Sequence, residues 1–357
     1  MTDQVKEAYS RHVTWIERQS DGSERDALRV IDPAGFYLRQ PPKPHELDGD
    51  VTDEAHLFQT IHMGAAVVDE DKWKLVVDGQ VERAFAVSLA QLKEMPRRTI
   101  TSFHECYGSP VAPPTTALWR IGNVQWTGVR LVDLLRVARP RPGVTHVWSQ
   151  GLDHGSFADV AADKYEKDLT LGKAFSPDVL VAFEMNGEPL TKNRGGPVRL
   201  VVPGWFGTNS TKWLCRLSLQ DSRASGPFTT KFYNEIDPND ATGQRKRPVW
   251  MVEPNSMIVR PKPEEILSGH PKVQVWGRAW GGQEIVKVDL SLDDGNSWTP
   301  ATVTPRKQFE WQLWKGEISM LAPGRYRLIA RATDKDNVAQ PLAGRRNHVH
   351  HVTVAVV

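Results

Sequence analysis

Cysteine is scarce in this chain: 357 residues contain two, Cys106 and Cys215. So widely separated, they form neither a CxxC zinc knuckle nor a CxxCH haem attachment, and they make no disulfide framework. An excess of one charge is lacking as well, since 45 Lys and Arg stand against 43 Asp and Glu for a net charge of +2. That balance offers no basic field for nucleic acid and no polybasic run for a membrane surface. No apolar run reaches transmembrane length, and the opening MTDQVKEAYSRHVTWIERQS is charged throughout, without the apolar centre of a signal peptide. The chain as given therefore reads as soluble and cytoplasmic, with a small molecule or a protein as its partner.

What is present divides in two, as the length suggests. Residues 1–57 read as an irregular arm on the body, with Pro33, Pro41, Pro42 and Pro44 among charges. From there to residue 254, short strands and helices alternate irregularly, which predicts a mixed α+β body rather than a doubly wound sheet. Trp73 to Gly79 alternates and ends in Asp-Gly, a strand and turn. Ser88 caps a short helix stopped by Pro96, and Leu131, Leu134, Leu135 and Ala138 share a face of another. Strands are predicted at Arg98 to Phe103, Val179 to Phe183 and Val198 to Val202. After Pro261, Pro263 and Pro271, residues 255–357 carry only strands and turns: Val273 to Trp280, Ile285 to Leu292, the turn Asp293-Asp294-Gly295-Asn296, Arg325 to Ala332 and Val349 to Val357. Short strands at that spacing predict an immunoglobulin-like sandwich.

Cys106 stands in Ser102-Phe103-His104-Glu105-Cys106-Tyr107-Gly108, just past a predicted strand. By itself the thiol reads as packed core before it reads as a soft metal ligand or nucleophile. Its company changes that. The segments Gly151-Leu152-Asp153, Glu184-Met185-Asn186-Gly187-Glu188-Pro189-Leu190, Pro197-Val198-Arg199-Leu200-Val201-Val202-Pro203-Gly204 and Lys212-Trp213-Leu214 follow in order, with His62 ahead of them. In that ordered set the chain resembles the sulfite oxidase family of molybdopterin enzymes. Residues 255–357 resemble the family's dimerisation domain through Arg278-Ala279-Trp280, Ser291-Leu292-Asp293-Asp294-Gly295 and Asp334.

The resemblance implies a molybdenum-molybdopterin cofactor with no haem in this chain, and Cys106 as the thiolate on the metal. It maps His62, Asp153, Arg194, Arg199, Ser210, Thr211 and Lys212 onto cofactor contacts, Arg and Lys suiting a phosphate. Amides of the Gly207 to Thr211 turn would add donors to the same anion. Arg194 departs from the histidine common at its position. Tyr233 maps near the active-site tyrosine, and as an aromatic anchor in a loop it has an equal claim. Taken singly, Arg199 and Lys212 read as surface charges, Asp153 as a turn cap, and His62 and His154 as structural histidines. Cys215 reads as packed core. His348 and His350 would share one strand face with His351 on the other, without carboxylate company for a metal.

The implied activity is oxygen-atom transfer to or from a small sulfur substrate, with electrons passed to an external one-electron acceptor such as a cytochrome, in a homodimer. Sulfite oxidation would want basic groups beside His62 and after Cys106, yet Thr60-Ile61 and Tyr107-Gly108-Ser109-Pro110-Val111 carry none. Arg120, Arg306 and Lys307 are the cations left to reach in. The alternatives are a sulfoxide or thioether substrate, a molybdopterin carrier with little turnover, and a non-metal interaction protein.

Overall fold

The computed structural model describes residues 3–16, 23–32, 35–109, 119–237, 239–268, 272–319 and 322–357. The readings at Pro33, Pro110, Val111 and Pro271 lie outside the described residues.

Two sheets build the α+β body. The first has six strands in the order Thr14–Ile16, Ala84–Ser88, Lys74–Gly79, Leu214–Gln220, His146–Gly151 and Glu166–Thr170. Its neighbours are antiparallel except Lys74–Gly79 and Leu214–Gln220, which run parallel. The second sheet orders Glu188–Pro189, Leu180–Met185, Ile121–Arg130 and Arg97–Glu105, with Arg199–Val201 paired to Leu180–Met185. The turn Asn186-Gly187 between its first two strands has positive φ at both residues, 54° and 87°, as a two-residue hairpin with the chain's handedness requires.

Helix Leu89–Glu94 starts at Ser88, whose hydroxyl accepts from the Gln91 amide while the Gln91 side chain accepts from the Ser88 amide. Helix Leu131–Ala138 turns Leu131, Leu134, Leu135 and Ala138 into the core, each fully buried. Burying such a leucine contributes about 1.5–3 kcal/mol, so this helix is held by tertiary packing more than by its own eight residues.

The arm is more ordered than its prolines predict. Helix Asp3–Ser10 is followed by strand Thr14–Ile16, which pairs with Ala84–Ser88 and extends the six-stranded sheet. Tyr9, buried, donates its hydroxyl to the Asp133 carboxylate at 2.9 Å. The proline cluster marks only the later part of the segment, and backbone pairing with the body organises the rest.

The C-terminal strands form one curled path of eight, from Asn255–Arg260 through Lys272–Trp280, Gln312–Ser319, Thr299–Val303, Ile285–Ser291, Gly324–Asp334 and His350–Val356 to Ile266–Leu267. Thr299–Val303 pairs on both sides and so joins the two halves of an immunoglobulin-like sandwich. Leu290, Trp314, Leu328, Val352 and Val354 fill its interior. His348 lies ahead of the last strand rather than in it, its ring bonded to the Arg345 carbonyl. His350 is buried and accepts from the Ile258 amide, and His351 contacts Arg327, so each of the three histidines has a separate partner.

Candidate active site

The strand Arg97–Glu105 delivers the site. Side chains alternate along it, so His104 and the following Cys106 face one way and Glu105 the other. Glu105 is buried against the sandwich, where Trp280 Nε1 donates to it at 2.8 Å and Arg346 stands 3.8 Å away. Burial pushes its carboxyl up to about 7 against the pull of Arg346. His104 and Cys106 face a pocket enclosing about 730 Å³ of atom-free space, its open mouth included.

Six of the sequence-predicted residues besides Cys106 come together around that pocket: His62, Asp153, Arg194, Arg199, Ser210 and Lys212. Tyr233 joins them at the rim, where its hydroxyl shares a hydrogen bond with His62 Nε2. Thr211 is the exception. Its side chain is turned from the pocket and its hydroxyl shares a 2.7 Å bond with Ser149, because in this stretch alternate residues face opposite ways. The turn amides also differ from expectation: those of Asn209 and Ser210 are taken by Phe206 and Gly207 carbonyls within a 3-10 turn, Gly207–Asn209.

The electrostatics are lopsided. Arg199, 2% exposed, donates to the carbonyls of Arg194 and Ser210 at 3.0 and 3.1 Å. Lys212 Nζ donates to the carbonyls of Thr60 and Asn193. Among the described residues no carboxylate lies within ion-pairing distance of either cation. Desolvation, with the neighbouring cations adding to it, holds Lys212 well below the usual lysine range and pushes Arg199 down to about 9. Arg194 is engaged differently, bonded to the carbonyls of Glu54, Leu57 and Phe58, so it ties that segment to the pocket wall. Asp153 is 3% exposed, its Oδ1 has no partner, and burial pushes it up to about 7. Burial likewise lowers His62 to about 3, so its ring is neutral.

These features fit a phosphorylated pterin carrying its own metal. Buried cations satisfied only by carbonyls call for an anion, since an uncompensated buried charge is costly. An orphaned acceptor at Asp153 suits a heterocyclic N–H, and the packed rings of Phe58, His104 and Trp126 line the space that a planar ring system would fill. Gly207 borders that space, where a Cβ would meet the His104 ring at 3.0 Å. Among the described residues no group of three or more His, Cys, Asp or Glu could hold a metal, so Cys106 would be the one protein ligand to a metal brought in on other sulfurs.

Sequence reasoning missed several wall residues. His104 was findable, being two positions from Cys106 on a predicted strand. Tyr165, stacked on His62 at 5.6 Å and donating to the Thr208 carbonyl at 2.7 Å, carried no local signal. Of the three cations that had the reach, Arg120 arrives, its Nη1 3.8 Å from Cys106 Sγ. Arg306 does not: it bonds the carbonyls of Gly281 and Gly282 and lies over Phe309. Cys215 is buried and its thiol donates to the Gln150 carbonyl.

Comparison with known proteins agrees with this geometry. Residues 62–228 match the family "Oxidoreductase molybdopterin binding domain", and residues 246–354 match "Mo-co oxidoreductase dimerisation domain". The chain is 31% identical to sulfite oxidase of Gallus gallus over 347 residues, covering 90% of this chain and 74% of that protein. It is 30% identical to mitochondrial sulfite oxidase of Homo sapiens over 352 residues, covering 90% of this chain and 63% of that one. Its fold superposes on the sulfane dehydrogenase SoxCD from Paracoccus pantotrophus with a TM-score of 0.76 at 27% identity, covering 96% of this chain and 88% of the other.

Proposed function

The chain belongs to the sulfite oxidase family of molybdopterin-dependent oxidoreductases, and on that premise we propose that it binds molybdenum-molybdopterin in the Cys106 pocket and moves an oxygen atom to or from a small sulfur compound. The observation that carries this reading is the juxtaposition of the Cys106 thiol with buried cations answered only by backbone carbonyls. When bound, the cofactor supplies oxygen-atom transfer coupled to a two-electron change.

The chain's own residues do the rest. Cys106 would hold the metal, with Thr60 Oγ1 3.8 Å from its sulfur. Arg199, Lys212 and Ser210 would hold the phosphate, Arg199 by a forked contact and Lys212 by a point charge. The Ser210 oxygen already accepts from the Val202 amide at 3.1 Å, which leaves its O–H to donate. Asp153 would take an N–H of the pterin. With the Nε2–H tautomer of His62 donating to the Tyr233 oxygen, the phenol would keep its own proton, which burial holds by raising the phenol's pKa above its ordinary value, and would donate it toward an approaching oxyanion. Electrons would leave to a separate one-electron acceptor of the cytochrome type, and the sandwich would pair two copies about a two-fold axis.

The test is metal analysis of the purified chain from molybdate-replete expression. Near-stoichiometric molybdenum and pterin fluorescence after oxidation are expected, with the metal lost in Cys106→Ser. A wild-type chain that carries neither molybdenum nor pterin would end the proposal.

A further inference from the structure

The charge around Cys106 is asymmetric in a second way, which bears on what approaches it. The basic groups of the pocket are engaged at its cofactor end, Arg199 and Lys212 with backbone carbonyls and Arg194 with carbonyls and the Glu54 carboxylate. Arg120 meets the cysteine from outside that lining, with Nη1 3.8 Å from the sulfur and its Nε buried without a hydrogen-bond partner. Gly108 makes room for it, since a Cβ there would lie 2.8 Å from Arg120 Nη1. Arg346, the next cation along, lies over the rings of Tyr107 and Phe206, but its charge is already answered: it bonds Glu253 at 2.7 Å and the Ser109 carbonyl and stands 3.8 Å from Glu105. Residues 110–118, Pro-Val-Ala-Pro-Pro-Thr-Thr-Ala-Leu, contain no ionisable side chain. Among the described residues one guanidinium is therefore available on the approach to Cys106. The remainder of that flank is aromatic, with Tyr107 edge-on to both Phe206 and Tyr233 at 5.4 and 6.1 Å. Glu235 and Glu253, whose charges act on Tyr107, are paired with Arg247 and with Arg345 and Arg346.

One countercharge and an aromatic wall suit a monoanion with an apolar body better than a small dianion, because desolvating a second negative charge without a second cation is expensive. We infer that the substrate is an organic sulfinate, R–SO2⁻, whose two oxygens meet Arg120 and the Tyr233 hydroxyl while R packs against Tyr107. This rests on the function proposed above. A sulfinate keeps a lone pair on sulfur, and its paired oxygens match the guanidinium fork as a carboxylate does. The reaction is R–SO2⁻ + H2O → R–SO3⁻ + 2 H⁺ + 2 e⁻. One S–O bond forms, both O–H bonds of water break, the protons go to solvent, and the two electrons pass one at a time to the external acceptor.

The test uses the molybdenum-loaded enzyme with ferricyanide as acceptor and compares benzenesulfinate with sulfite. Expected is a kcat/KM for benzenesulfinate at least tenfold above that for sulfite, reduced in Arg120→Met by roughly 10- to 100-fold, mainly through KM, as loss of a charged hydrogen bond implies, and partly restored in Arg120→Lys. Sulfite as the better substrate, or an Arg120→Met enzyme with unchanged kcat/KM for benzenesulfinate, overturns the sulfinate assignment and leaves the proposed function standing. No turnover of either anion by enzyme that carries molybdenum also overturns the sulfinate assignment, whereas a chain that takes up no molybdenum defeats the proposed function instead. Binding of the product benzenesulfonate, followed by tryptophan fluorescence, then decides the Arg120 site alone: an affinity tenfold weaker in Arg120→Met supports it, and an equal affinity removes it.

Discussion

Two sets of cations in the same body are compensated in opposite ways. In the six-stranded sheet Arg216 grips Asp78 through three hydrogen bonds of 2.8 to 3.1 Å, and Arg223 holds Asp168 through two of 2.8 and 3.0 Å. Both carboxylates are fully buried. Just ahead of these arginines in the chain, Arg199 and Lys212 have carbonyl oxygens only. A buried cation with a forked carboxylate is finished; one with carbonyls alone still attracts an anion. The first arrangement is read as architecture and the second as a binding site, although sequence alone does not distinguish an arginine of one kind from an arginine of the other.

The comparison can be broken most sharply at Asp78. Asp78→Ala removes the buried carboxylate that takes three Arg216 hydrogen bonds and is expected to cost about 3–5 kcal/mol in chemical denaturation. A loss below 1 kcal/mol would mean that the pair is not architectural. Next in size is the response to an anion. Inorganic pyrophosphate at a hundredfold excess over its Kd should stabilise the cofactor-free chain by about 3 kcal/mol, measured as a shift in Tm, and should do nothing for Arg199→Met. An equal shift in both would place the anion elsewhere.

Glu105 sharpens the contrast from the acidic side, being a buried carboxyl whose cation stands 3.8 Å away. Its folded value is raised from 4.5 to about 7, so its stabilising contribution is complete below the unfolded value and is lost as pH rises through the folded one. Glu105→Gln does not titrate. Its stability relative to wild type should therefore grow by about 2 kcal/mol between pH 5 and pH 8, followed by urea denaturation at each pH. A difference that stays flat would show Arg346 keeping the carboxylate ionised. The smallest effect is expected from Arg199→Met itself. Without cofactor it should leave stability within about 1 kcal/mol of wild type or raise it, since an apolar side chain replaces a poorly compensated charge. A loss above 3 kcal/mol would move Arg199 into the architectural set.

Much of the fold was legible because its signals are local. Ser88 as a cap, the face of Leu131, Leu134 and Leu135, and the strands at Val179 to Phe183 and Val198 to Val202 depend on periodicity and on residues with special backbone preferences. The arm was less legible, because its order comes from pairing with Ala84–Ser88 and from Tyr9 reaching Asp133 across 124 positions. The site divided the same way. Cys106 and the motifs after it could be recognised in order, whereas the turn of Thr211 toward Ser149, and of Arg306 toward the Gly281 and Gly282 carbonyls, belongs to packing.

By itself the sequence determined the class of element, the division into α+β body and sandwich, and the set of residue types that a molybdopterin and its metal would want. Only the tertiary structure decided which cations were left with carbonyls alone and which one stood beside Cys106. The reason is physical. Capping, periodicity and turn chemistry act over a few residues and are written in neighbouring letters, but the compensation of a charge depends on whatever the fold brings within about 4 Å of it, where Coulomb and desolvation energies are largest.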